Sequence, residues 1–251
     1  MSMLDLSALL QQPSLVIGLG LVTLFLVFSM IKDLFTRAQR AKGVQIDRLK
    51  HYNSAMVLLW SLALICLICW HVSDLSWAQL GFRLPTGWRA WISWGLSGMI
   101  ITYLIYTLIA AALHAPSRIS MRQQFETAAD LDLIRPRTEK DHARFQGLSL
   151  TAGITEEIVF RGFMIGALAL IAPLWLAAIF ALIWFILGHV YQGLKGMITI
   201  LPISILLTVI FVIGQSLWPV ILVHVLVDMV AGGQFKLVDA FEEKDAQMSP
   251  A

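Results

Sequence analysis

TAGITEEIVFRGFMIGALALIAPLWLAAIFALIWFILGH, residues Thr151 to His189, decides how the chain folds. It is apolar for most of its length, yet it carries Glu156, Glu157, Arg161 and His189. A bilayer core takes about 20 apolar residues per helix, so the stretch has room for two passages. Pro173 lacks an N–H and ends or kinks the first of them. The expected helices are Ala143 to Leu170 and Leu174 to His189. An ionisable group in hydrocarbon costs about 3 kcal/mol even on the mildest scale, so these side chains must face protein or a wet cavity.

The rest of the chain agrees. Of 251 residues, 58% are hydrophobic and 14% charged, too few charges to cover a soluble domain of this size. Further apolar runs lie at Leu15 to Ile31, Ala55 to Val72, Ala90 to Leu113, Met197 to Gly214 and Val220 to Ala231. The expected fold is all-α: a polytopic helical membrane protein of about seven transmembrane helices. Pro202 falls inside the sixth run, and Trp218-Pro219 opens the seventh. Thr138 to Asp141 has the S/T-x-x-D/E pattern of a helix start.

Basic residues alternate between loops. Lys32, Arg37, Arg40, Lys42, Arg48 and Lys50 follow the first run, and Arg118, Arg122, Arg135, Arg137 and Lys140 follow the third. Only Arg83 and Arg89 follow the second. The positive-inside rule puts the N-terminus outside and the C-terminus in the cytoplasm of a cell membrane, with a bacterial inner membrane expected. No basic residue precedes the first run and Asp5 does, so a cleavable signal peptide is not expected. No basic tract suggests nucleic acid. The chain is expected to form one membrane domain over 1–251. Residues 1–135 would hold the N-terminal helices and a cytoplasmic connector, 136–232 the motif-bearing core, and 233–251 a polar tail, with disorder expected from Lys236 to Ala251.

Three groups of residues carry chemistry. Glu157 and Arg161 are four apart, share a helix face and can pair. Glu156 points about 100° away from Glu157. His189 follows Phe185 by four residues, and His224 precedes Asp228 by four, the spacing of a carboxylate that orients an imidazole. A consistent arrangement has Glu157–Arg161 as a structural pair and Glu156 facing His189 and His224 across a cavity between the fourth, fifth and seventh helices. Such a carboxylate can activate water, and an imidazole can donate to an oxyanion. Glu156, His189 and His224 could instead hold zinc with an open position. No H-E-x-x-H is present, and residue types alone do not choose.

"EEIVFRG", "FILGH" and "HVLVD" resemble the three motifs of the CAAX protease and bacteriocin-processing family, also called the ABI family, which read E-E-x-x-x-R, F-x-x-x-H and H-x-x-x-N/D. They fall on Glu156, Glu157 and Arg161, on Phe185 and His189, and on His224 and Asp228, within residues 136 to 232. The resemblance implies an intramembrane endopeptidase acting on a membrane-associated peptide or protein. It implies Glu156 as the water-activating base, His189 as its partner, His224 and Asp228 at the oxyanion, and Glu157 and Arg161 holding the site's shape. Relatives have been described as metallo- and as glutamic proteases, so zinc is the one cofactor suggested. Several relatives have Asn where this chain has Asp228. An ionised carboxylate accepts but cannot donate, so Asp228 is expected to be protonated or to orient His224.

Blander readings stand beside these. Buried charges can simply fix helix packing. His51, His71, His114 and His142 sit at loops or helix ends, and Cys66 and Cys69 share an apolar helix without partners. Gly162 and Gly166 suit close helix packing. An ion-coupled carrier would also bury Glu, His and Asp, but it predicts two related halves, and no internal repeat is visible. A noncatalytic immunity or binding protein would be favoured by a missing motif residue, and none is missing.

Overall fold

The computed structural model describes residues 7–44, 47–127 and 134–248. Asp5, part of the connector (128–133) and the last three residues of the tail lie outside them. Among the described residues eleven α-helices follow one another: α1 (Ser7–Leu10), α2 (Pro13–Ala41), α3 (Arg48–Val72), α4 (Trp77–Leu80), α5 (Gly87–Leu113), α6 (Ala115–Thr127), α7 (Glu139–Glu156), α8 (Ile165–Leu168), α9 (Leu174–Leu187), α10 (Gly193–Gly214) and α11 (Leu217–Met248). A π-helix, Glu157–Met164, joins α7 to α8, and a 3-10 turn, Val190–Gln192, joins α9 to α10. There is no strand among the described residues. The protein is an all-α, multi-pass membrane protein.

Each of the seven expected runs lies on a helix. Five stretches among the described residues are long and apolar enough to cross a membrane: Pro13–Thr36, Arg48–Val72, Gly87–Leu113, Val190–Gly214 and Leu217–Phe241. The other two are the motif-bearing rod from Glu139 to Leu168, which carries charges, and Leu174–Leu187, which is short. These two hold the stretch from Thr151 to His189.

Local chemistry fixes the ends. Thr138 caps α7: its side chain accepts from the Asp141 N–H at 3.1 Å, and the Asp141 carboxylate accepts from the Thr138 N–H at 3.1 Å. Pro173 precedes α9, where a missing N–H costs nothing. Pro202 lies inside α10.

The tail differs from expectation. α11 runs on to Met248 instead of ending near Ala231. Tertiary contacts support the extension. Phe235 packs on Phe125 and Phe145 at ring-centroid distances of 4.5 and 6.3 Å, Asp239 pairs with Arg135, and Lys236 reaches Glu139 at 2.7 Å. The Lys236 ammonium holds the exposed Glu139 carboxyl below its ordinary range.

Hydrocarbon gives no hydrophobic drive for helices to associate, so close packing must do it. Small residues sit at the tight points. At Gly166 a Cβ would stand 2.7 Å from Trp70 Cη2, and at Gly162 it would stand 3.0 Å from the Leu80 carbonyl oxygen. Trp70, Leu80 and Phe163 are correspondingly enclosed. At Gly153 a Cβ would meet backbone, with Val225 N at 2.6 Å and Cα at 2.8 Å, so α7 and α11 touch main chain to main chain there.

The segment after α4 clasps the α10–α11 corner. The Leu217 N–H donates to the Gly81 carbonyl at 2.9 Å. Arg83 donates to the Gln215 carbonyl at 2.9 Å and also bonds its side-chain oxygen. Gln215 has φ 47°, a left-handed conformation that costs a non-glycine residue energy, and these bonds hold it there.

Candidate active site

The site lies where the π-helix, the end of α9 and the middle of α11 meet. A π-helix inserts a wider turn into an α-helix, and such bulges recur at functional sites. Residues Glu157 to Met164 are all buried. Arg161 Nη1 donates to Glu157 Oε1 at 2.9 Å, while Nη2 reaches the Ser204 carbonyl at 3.4 Å. The guanidinium lies 4.3 Å from the Phe185 ring centroid. Phe185, four residues before His189, is thus a wall of the site, in contact with Arg161, His189 and Phe160.

The expected pair therefore forms, but Glu157 does more than pair. His224 Nδ1 lies 2.6 Å from the same Oε1. The carboxylate is already the acceptor for Arg161, so His224 Nδ1–H donates to it. Glu157 orients the imidazole, the role that spacing alone suggests for Asp228. Asp228 Oδ2 instead lies 3.8 Å from His224 Nε2, on the ring's opposite edge, and its side chain is 33% exposed where that of Glu157 is 0%. The Gly153–Val225 contact explains the reach, because it draws His224, next to Val225, against the turn that carries Glu157.

Glu156 faces the other way. Its Oε2 lies 3.9 Å from His189 Nε2 and 3.9 Å from His224 Nε2. That oxygen is buried and has no hydrogen-bond partner among the described residues. His189 Nδ1 lies 2.8 Å from the Phe185 carbonyl, which can only accept, so this nitrogen carries a proton. In a neutral ring, Nε2 then offers a lone pair toward Glu156. All seven motif residues come together, from three separated stretches of chain.

The site opens into a cavity of about 800 Å³. Its walls are largely apolar, with Leu26, Leu58, Leu62 and Leu207 among them, and it extends to Lys32, His51 and Lys195. Much of this enclosure comes from α2 and α3, which carry none of the motifs.

The donor types would suit zinc, but the spacing does not. Two ligands on one tetrahedral zinc stand about 3.3 Å apart. The Glu156–His189 and Glu156–His224 separations are both 3.9 Å, and no group of three His, Cys, Asp or Glu side chains among the described residues closes to metal-holding distance. Cys66 and Cys69 are buried free thiols in the packed core, away from this cavity's walls.

Residues 141–230 match the family model described as type II CAAX prenyl endopeptidase Rce1-like. The matched segment contains all three motifs, in line with the family resemblance they carry. It supports a hydrolase of the membrane-protease kind. No curated protein and no solved structure matches the chain.

Proposed function

We propose that this protein is an intramembrane endopeptidase in which Glu156 activates water for attack on a peptide carbonyl. One observation carries the reading. Glu156 Oε2 and His189 Nε2, both acceptors in their resting forms, stand 3.9 Å apart inside a buried cavity. Two acceptors that share one water, through hydrogen bonds of about 2.8 Å, stand about 4 Å apart. The pair is therefore spaced to hold and aim a nucleophilic water.

The steps follow from the same atoms. Water gives one hydrogen bond to Glu156 and one to His189. As its oxygen attacks the carbonyl carbon, its proton passes to Glu156. The carbonyl oxygen becomes an oxyanion, and His224 Nε2–H donates to it when the ring carries both protons. Glu157, bonded to Nδ1, offsets the charge of that ring. The intermediate collapses, the C–N bond breaks, and Glu156 returns its proton to the leaving amine. Arg161 keeps the Glu157 charge balanced throughout. No step needs a metal.

The matched family's description directs the substrate reading to a prenylated C-terminal peptide of the C-a-a-X kind. The apolar walls suit a lipidated or apolar segment. Lys32, His51 and Lys195 bring the cavity to the basic-loop side, so substrate enters from the cytoplasmic face of the membrane.

The test is a farnesylated C-a-a-X peptide offered to the protein in liposomes, beside its Glu156→Ala variant. Turnover by the variant should fall at least about 100-fold with the protein still folded and inserted. Equal turnover by the two proteins would sink the mechanism. A chelator should leave wild-type turnover unchanged, and loss that zinc restores would return the reaction to a metal.

A further inference from the structure

A substrate of the C-a-a-X kind brings a second charge into the cavity. A bond cut inside that four-residue box lies at most three residues from the chain's end, so a free α-carboxylate follows the reacting carbonyl inward. A carboxylate taken out of water is strongly disfavoured unless a cation meets it. The motif residues have none to spare. Arg161 and His224 are both bonded to Glu157, and Glu156 and Asp228 add negative charge.

The cavity wall supplies two ammonium groups away from the reacting atoms. Lys32 stands on α2 and Lys195 in the first turn of α10, and among the described residues no other lysine or arginine lines the cavity. One contact fixes their level. A Cβ at Gly188 would stand 3.3 Å from Leu26 Cδ2, so Leu26 marks on α2 the height of Gly188 and its neighbour His189. Leu26, Ser29, Lys32 and Asp33 recur at helical spacing and all line the cavity, so one face of α2 leads from the site to Lys32. The six residues from Leu26 to Lys32 advance about 9 Å along the helix. Three extended peptide residues span about 10 Å. A carboxylate three residues past a carbonyl held at Glu156 and His189 can therefore reach the level of Lys32. Lys195 comes to the same side from α10, across the Val190–Gln192 turn that packs on α2. Asp33 is the one carboxylate on the wall at this end among the described residues, so two ammonium charges against one leave it positive.

We propose that Lys32 and Lys195 bind the free C-terminal carboxylate of the substrate and so confine cleavage to bonds near the end of a chain. An internal segment of a membrane protein brings no such charge and gains nothing from the two lysines. A compact ammonium on a flexible four-carbon stem can follow a carboxylate over the small differences between C-a-a-X ends. The proposal rests on the endopeptidase reading and adds to it the group that selects the substrate.

The experiment offers two farnesylated C-a-a-X peptides, one ending in the free acid and one in an amide, to the protein in phosphatidylcholine liposomes. The wild type should favour the acid at least about 10-fold in kcat/KM, the effect of one charge-assisted contact. The preference should lie in KM, because the contact forms on binding and persists unchanged through the reaction. In a Lys32→Gln, Lys195→Gln double variant the acid should fall to within about twofold of the amide, and Lys→Arg at both positions should keep the preference. Each single Gln variant should narrow the ratio, which keeps the test open if the double variant does not fold. A wild type that cuts acid and amide equally well overturns this proposal alone. So does a preference that survives the double variant while both peptides slow alike, which would assign the lysines to lipid headgroups. A wild type that cuts neither peptide overturns the endopeptidase reading and this one together.

Discussion

α5 (Gly87–Leu113) and the rod formed by α7 and its π-turn (Glu139–Met164) are of similar length and are built to opposite rules. Only 11% of the most apolar window of α5 is buried in the protein, and its outer face carries Trp91, Met99, Tyr103 and Leu113. The π-turn is enclosed at every position and holds Glu157 and Arg161. α5 meets hydrocarbon and needs only composition to do so. The rod's π-turn meets protein on all sides and depends on individual partners. The contrast teaches where sensitivity should lie: in the charged, enclosed helix and not in the apolar, exposed one.

The contrast can be broken by substitution. Arg161→Ala should have the largest effect, because it leaves Glu157 as a buried carboxylate without its cation. We expect a loss of about 3–5 kcal/mol, read by thermal denaturation in detergent. A melting curve like that of the wild type would show that the pair does not hold the rod. Gly153→Ala comes next. Its methyl meets Val225 backbone, which cannot move aside like a flexible side chain, so about 1–3 kcal/mol should be lost. Turnover should fall with it as His224 is displaced, and stability loss without any change in kcat would separate the helix contact from the site. Thr138→Ala removes the cap of the rod and should cost about 1 kcal/mol by the same denaturation assay. Ile105→Ala on the exposed face of α5, by contrast, should shift stability by no more than about 0.5 kcal/mol. A loss there as large as that at Gly153 would erase the distinction between the two helices.

The same contrast explains what can be read in the sequence. Membrane helices declare themselves by composition, so every apolar run is legible. Glu157 and Arg161 are legible as a pair because four-residue spacing is a local property. The His224–Glu157 bond spans 67 positions and has no sequence period, so the spacing of His224 and Asp228 points to the wrong orienting carboxylate. The π-turn is equally silent, since it arises from packing against α3, α9 and α11 and not from local propensity. The extension of α11 fails to show for the opposite reason. Its residues are polar enough to read as a tail, and Phe235, Lys236 and Asp239 become helical partners only once Phe125, Phe145, Glu139 and Arg135 are in place.

The clasp of Gly81 and Arg83 on the α10–α11 corner has a consequence in time. The clasp's first half is synthesised long before its second, since Arg83 and Gln215 are 132 positions apart. A nascent chain carries Glu156 and His189 into the membrane without His224, and on the proposed mechanism it can aim water but cannot steady the intermediate. Only when α11 emerges, and its first residue bonds back to Gly81, does the third stretch join the other two. On the proposed mechanism, the order of translation thus leaves the site incomplete until the last membrane helix is made.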